Sequence, residues 1–158
     1  MTMQTGRHPD EPVSKDRLRL WLKLLKASSL IEEDIRRRLR LEFGSTLPRF
    51  DVMAALFREP DGLKMSEISK LLRVSNGNIT GIVDKLTDEG MALRVAVPDD
   101  RRANLVRLTA AGRVAFETHA AAHESWVNDI LGGLEPGEIA GMIDGLDHLT
   151  GTLEDKGK

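Results

Sequence analysis

Residues 65–86 read Met65-Ser66-Glu67-Ile68-Ser69-Lys70-Leu71-Leu72-Arg73-Val74-Ser75-Asn76-Gly77-Asn78-Ile79-Thr80-Gly81-Ile82-Val83-Asp84-Lys85-Leu86, and they divide into two helices. Ile68, Leu71 and Leu72 give the first, Met65 to Leu72, one apolar side, with Ser66 as its expected cap. Ser75 is the expected N-cap of the second, which ends near Gly90. Its Ile79, Ile82, Val83 and Leu86 match the i, i+3, i+4, i+7 template. At about 100° per residue, the opposite side holds Gly77, Thr80, Gly81, Asp84 and Asp88, flanked by Asn78 and Lys85. Glycine inside a helix costs about 0.5–1 kcal/mol relative to alanine. Two glycines four apart on an outward face therefore need a reason. Close approach to a bulky partner such as a DNA backbone or major groove is one. An exposed helix with unselected surface residues is the other.

The segment that follows weighs on that choice. Leu93, Val95 and Val97 alternate with Arg94 and Ala96, and Val106 and Leu108 alternate with Arg107. Both runs read as strands. Between them Pro98-Asp99-Asp100-Arg101-Arg102-Ala103 reads as a charged hairpin tip. Two short helices joined by Arg73-Val74 and closed by a hairpin make a winged helix-turn-helix. Arginine on a projecting loop can enter the narrow, electronegative minor groove of A·T-rich DNA. Arg101 and Arg102 are placed for that, and Asp100 is expected to pair with an arginine and aim its guanidinium. A solvated, charge-balanced hairpin is the alternative, but its position after a helix of the recognition type favours DNA.

The flanks read as helices. Leu20, Leu24, Ala27, Ile31, Ile35 and Leu39 recur at spacings of three and four across about residues 16–43. Leu18, Trp21, Leu22 and Leu25 widen this stripe beyond what one neighbour covers. After Gly44, a helix begins near Ser45-Thr46 with Pro48 in its first turn, and Phe50, Met53, Ala54 and Phe57 mark its expected buried face. Thr109 begins a helix of about twenty residues that ends at Gly132-Gly133, and Pro136 opens the last one. The fold class is thus mainly α with a two-stranded β-wing.

Composition narrows the possibilities further. The length of 158 residues favours one domain, and 41% hydrophobic residues suffice for a core. No apolar run reaches the roughly 18 residues of a membrane span. Residues 1–14 are polar, contain Pro9 and Pro12, and lack the apolar stretch of a signal peptide, so the cytoplasm is the expected location. The absence of cysteine removes disulfides, thiolate metal sites and thiol redox sensing. The net charge of -2 hides an asymmetry: residues 64–113 carry 9 basic against 6 acidic side chains, and residues 114–158 carry 2 against 9. The basic part suits a polyanion and the acidic part does not.

The residues 65–86 just quoted, with Gly90, resemble the DNA-binding lobe of the MarR family of transcriptional regulators. Asp99-Asp100-Arg101-Arg102, then Val106-Arg107-Leu108-Thr109-Ala110-Ala111-Gly112, is similar to the family's wing and the entry to its next helix. The resemblance covers about residues 16–153. With the polar, proline-containing start and the length, the reading is a flexible arm (1–14), a single domain (15–153) and a flexible tail (154–158). Within the domain, a helical dimerisation lobe (15–45 and 113–153) would flank the winged-helix DNA-binding lobe (46–112). The resemblance further implies a homodimer on a pseudo-palindromic operator in double-stranded DNA. The expected DNA contacts are Ser75, Asn76, Gly77, Asn78, Thr80, Gly81, Lys85, Arg94, Asp100, Arg101 and Arg102.

The wording of the Ser75–Asp84 segment is similar to branch members that control breakdown of aromatic acids. A small aromatic acid or an aromatic acyl-CoA is therefore the implied effector, bound between the lobes, with no cofactor. Trp21, Phe43, Phe50, Phe57, His119, His123 and Trp126 are candidate aromatic walls. Arg19, Lys23, Lys26 and Arg49 are candidates to meet an acidic group, and Arg36 and Arg38, within the Arg36–Arg40 cluster, a CoA phosphate. Core or interface packing is the competing role for each aromatic. His119 and His123 are four apart, a possible half-site for zinc, but nothing completes it and no metal is expected. No phosphate loop, Gly-x-Ser-x-Gly turn or dinucleotide fingerprint is present, which argues against an enzyme. A winged helix used only for protein contacts is the remaining rival.

Overall fold

The computed structural model describes residues 12–73 and 76–157, without the side chains of Asn76, Arg101, Arg102 and Ala103. Ser75 and most of the expected arm, residues 1–11, therefore lie outside the described residues. Helix α1 spans Val13–Phe43 and begins at extended Pro12, earlier than the apolar periodicity shows. It closes where Gly44 takes a left-handed φ of 59°. There the Gly44 N–H donates to the Arg40 carbonyl (3.0 Å) and the Ser45 N–H to Leu39 (3.2 Å). Only a conformation that glycine adopts freely permits this double closure.

Helix α2, Leu47–Arg58, is capped by the Thr46 hydroxyl, which accepts from the Arg49 N–H at 3.2 Å. It buries Phe50, Val52, Met53, Ala55 and Leu56. The expected face had Ala54 and Phe57 instead of Val52, Ala55 and Leu56. The difference arises because α2 is surrounded, touching α1, the two helices that follow and the sheet. A helix with neighbours on several sides has no single apolar stripe.

Strand β1, Leu63–Lys64, leads directly into α3, Met65–Leu72. The α3 start is held by Glu67, whose carboxylate accepts from the Lys64 N–H at 3.1 Å. Ser66 lies inside the helix, so the expected Ser66 cap is replaced by this return contact. Helix α4 spans Asn76–Asp88, and strands β2 (Ala92–Val97) and β3 (Asp100–Leu108) form the hairpin. The sheet has three strands in the order β1-β3-β2, all antiparallel. The third strand adds to the expected two-stranded wing: Leu63 faces Val106, and Lys64 faces Leu105. Gly62, with φ of 103°, permits this pairing, since a Cβ there would lie 3.0 Å from the Val106 carbonyl oxygen.

Helices α5 (Ala110–Ile130) and α6 (Pro136–Lys156) complete the chain. Two compact units result, one up to Ala120 and one from Ala121 onward. In the first, Leu39, Val52, Met53, Leu56, Ile68, Ile79, Leu86, Val83 and Val106 are fully buried. In the second, Trp126 is buried, while Ile139, Met142, Ile143, Leu146, Leu149 and Leu153 of α6 are exposed. Among the described residues, no helix is long and apolar enough to cross a membrane.

Candidate nucleic-acid interface

Helix α4 turns Ile79, Val83 and Leu86 inward, each nearly or fully inaccessible. Gly77, Asn78, Thr80, Gly81, Asp84, Lys85 and Asp88 are exposed, as the periodicity divides them, whereas Ile82, expected on the buried side, is half-buried. Among the described residues, a Cβ built on Gly77 or Gly81 would meet no atom within 4 Å. Intramolecular packing therefore gives no reason for either glycine. Arg94, on β2, forms an ion pair with Asp84 of α4 and so ties the wing to the helix. The expectation assigned aiming of an arginine to Asp100; for Arg94, the aiming carboxylate is Asp84.

The wing turns more tightly than a six-residue tip. Asp99 adopts a left-handed φ of 73°, and the chain reverses over Pro98-Asp99 alone. Val97 opposes Asp100 and Ala96 opposes Asn104, so Arg101-Arg102-Ala103 form an insertion between two consecutive pairings. Such a bulge re-aims a strand near a functional rim. The side chains of Arg101 and Arg102, and that of Asn76, lie outside the described residues.

The end of α4 is fastened to the start of α5. Thr109 donates its N–H to the Met91 carbonyl (3.0 Å) and its hydroxyl to Gly90 (2.7 Å), and it accepts from the Gly112 N–H (3.0 Å). A Cβ on Gly112 would lie 1.9 Å from the Met91 carbonyl oxygen. The Leu-Thr-x-x-Gly sequence thus has a steric cause: helix α5 begins in direct contact with the turn that follows α4.

Beside α4 lies a cavity of about 540 Å³. Gly77, Asn78, Gly81, Ile82 and Lys85 of α4 form one wall, and Phe43, Ser45, Arg49 and His119 belong to the others. The Phe43 and His119 rings are tilted against each other with centroids 4.1 Å apart. Burial, and then the positive charge of Arg49, lower the His119 pKa below its ordinary value, so the ring is a neutral wall at pH 7. Arg49 forms an ion pair with Glu89, just past the end of α4.

Of the sequence-proposed ligand residues, Arg49 lines this cavity, as do Phe43 and His119. Phe50 and Phe57 instead stack around Phe116, at 5.5 and 4.8 Å, with the Arg113 guanidinium 4.5 Å over Phe57. Trp21, Lys23 and Lys26 are exposed on α1, and Arg19 pairs with Asp16 at 3.0 Å. Arg36 pairs with Glu32 at 3.4 Å and borders a separate cavity of about 190 Å³. Arg38 pairs with Asp34 at 3.2 Å. The hydrogen bond from Arg37, reinforced by the charge of Arg38, holds the Asp34 carboxyl below the usual carboxylate range. His123 (half-buried) and Trp126 (buried) belong to the second unit. Ser45 and Glu89 were missed. Ser45 read only as part of a helix start, and pairing across forty residues leaves no local signal.

Residues 45–103 match the MarR family. The transcriptional activatory protein BadR of Rhodopseudomonas palustris is 26% identical over 124 residues, spanning 77% of this chain and 70% of BadR. FabT of Streptococcus pneumoniae, solved in complex with DNA, is 28% identical with a TM-score of 0.67, covering 89% of this chain and 98% of FabT. A MarR family transcriptional regulator from Silicibacter pomeroyi is 32% identical with a TM-score of 0.72, covering 93% of this chain and 99% of that one. Likeness at that identity over nearly the full length of both chains, joined to the helix pair and wing, makes this chain a member of the MarR family: a DNA-binding transcriptional regulator and not an enzyme.

Proposed function

We propose that the chain works as a homodimeric repressor, released from a pseudo-palindromic operator by a small aromatic acid. One observation carries this reading: Gly77, Asn78, Gly81 and Lys85 belong both to the exposed face of α4 and to the wall of the 540 Å³ cavity. Anything that binds in the cavity acts on the helix that would read DNA. A ligand shifts such an equilibrium only by its differential affinity for the two arrangements. Asn78 and Thr80 are assigned to base edges and nearby phosphates in the major groove, with Ser75, Asn76 and Lys85 beside them. Gly77 and Gly81 allow the backbone to come close. Arg101 and Arg102 are assigned to the minor groove, with Arg94 and Asp100 supporting the wing.

The lining supports this ligand class. Two aromatic rings, one ammonium and one guanidinium, the last paired with the Glu89 carboxylate that also lines the cavity, suit a planar ring whose anionic group can compete with Glu89. The volume lies within the range of small-molecule sites. Arg36 and Arg38 pair with acids of their own helix and are not among the lining residues, so the free acid is better supported than an acyl-CoA. BadR is named as an activator, which gives the opposite sign of regulation as the second reading. A reporter under the protein's own upstream DNA, with and without the protein, separates the two. Expression that rises when the protein is deleted fits a repressor, and expression that falls contradicts it. Titration of the operator complex with aromatic acids and their CoA esters tests the effector. Affinity unchanged across that panel contradicts the release mechanism.

A further inference from the structure

We infer that Ser45 and Arg49 form a carboxylate clamp in this cavity, and that Glu89 is the internal carboxylate which holds Arg49 until an external acid replaces it. The inference rests on the reading that the cavity accepts an aromatic acid. Ser45 is 7% exposed, yet its hydroxyl has no hydrogen-bond partner among the described residues. A buried hydroxyl left unpaired is costly and rare, and an absent ligand is one of its ordinary explanations. The residue is also held in place, because its N–H is committed to the Leu39 carbonyl in the closure of α1. Arg49 stands one helical turn along, its N–H fixed on Thr46. Its side chain is only 19% exposed, whereas that of Glu89 is 42% exposed.

The Arg49–Glu89 pair joins the first turn of α2 to the residue just beyond α4, and Glu89 is continuous with α4 through its N–H on the Lys85 carbonyl (3.1 Å). Rotation about the Ser45 Cα–Cβ bond turns its closed-off hydroxyl to the cavity, where a flat aromatic acid lying on the Phe43–His119 wall can present one carboxylate oxygen to it and the other to Arg49. A carboxylate has the lone pairs to accept from both donors. Glu89 is then displaced, and the ligand's charge disfavours its return. The C-terminal end of α4 loses this ion pair to α2, while its core packing and its fastening to α5 through Thr109 remain. The cavity thereby couples the arrival of an anion to the setting of the DNA-reading helix.

Calorimetry with the full-length protein, using benzoate as probe and benzamide as its neutral counterpart, tests this together with Ser45→Ala and Glu89→Gln. Benzamide should bind at least about tenfold more weakly than benzoate, the scale of one charge-assisted hydrogen bond. Ser45→Ala should weaken benzoate about tenfold while leaving the melting temperature unchanged or higher, because it deletes an unpaired group. A structural serine would lower the melting temperature and leave benzoate affinity alone, which would overturn the clamp. Glu89→Gln should tighten benzoate about tenfold by removing its competitor, and weaken operator binding in the absence of benzoate. If the wild type binds benzoate but neither variant shifts that affinity, the clamp is wrong and the effector reading stands. If neither benzoate nor any other simple aromatic acid gives heat with the wild type, both fall together.

Discussion

Gly81 and Gly112 are both helical glycines, and the space around them separates two reasons for having one. At Gly112 an added methyl group would run into the Met91 carbonyl oxygen, whereas at Gly81 it would meet nothing within 4 Å. Gly112→Ala should therefore destabilise the fold by about 1–3 kcal/mol in urea denaturation. Gly81→Ala should stabilise it by about 0.5–1 kcal/mol, yet weaken operator binding. Retention of full operator affinity in Gly81→Ala would remove the argument for close backbone approach. His119 gives a pH signature. Its folded pKa lies below the unfolded value of about 6.5, so the unfolded chain binds the extra proton first. Its contribution is complete above about pH 6.5 and declines as the pH falls toward the folded pKa. The melting temperature of His119→Asn should fall less between pH 7.5 and pH 5 than that of the wild type; parallel curves would refute this. The sequence alone marked Gly77 and Gly81 as anomalous. It could not show why Gly112 follows Thr109, because the atom that excludes a side chain belongs to Met91, on a different turn.

Among the elements, α4 and the hairpin strands were legible because burial on one side imposes a period of 3.6 or 2. Leu63–Lys64 was not, since two residues carry no period and their strand exists only because β3 lies beside them. The tightness of the wing turn was hidden too. Asp99 accepts a left-handed φ that is uncommon outside glycine, and the inserted Arg101–Ala103 look like loop in the sequence. The Arg94–Asp84 tie crosses from strand to helix and has no local trace. Helix and wing should fail in different ways. Asn78→Ala should relax sequence preference, visible as a smaller affinity ratio between operator and scrambled duplex. Arg102→Ala should weaken both duplexes alike and reduce the log–log salt slope by about one, the loss of one neutralised phosphate. An Arg102→Ala variant that changed sequence preference but not the slope would assign the wing to base reading instead.

At the scale of the whole molecule, what stands out is apolar surface that one chain leaves uncovered. Leu18, Leu20, Trp21, Leu22, Leu25 and Leu30 of α1 are exposed, and so is the row Ile139, Met142, Ile143, Leu146, Leu149 and Leu153 of α6. Contiguous apolar rows of this extent mark an interaction surface. The breadth of the α1 stripe was legible in the sequence, whereas the partner that covers it was supplied only by the family resemblance. Sedimentation at low micromolar concentration should give a dimer for the wild type and a monomer for Leu146→Glu/Leu149→Glu. A wild-type monomer at that concentration would exclude an obligate interface, which commonly buries more than about 2,000 Å². A two-fold dimer would place its two recognition helices on successive major grooves, with half-site centres about 10–10.5 base pairs apart. Hydroxyl-radical footprinting of the DNA upstream of the protein's own gene tests this most directly. Two protected half-sites at that spacing, filled together by two chains, is the expected pattern. A single half-site filled by one chain, or no protected sequence with folded protein present, would contradict it.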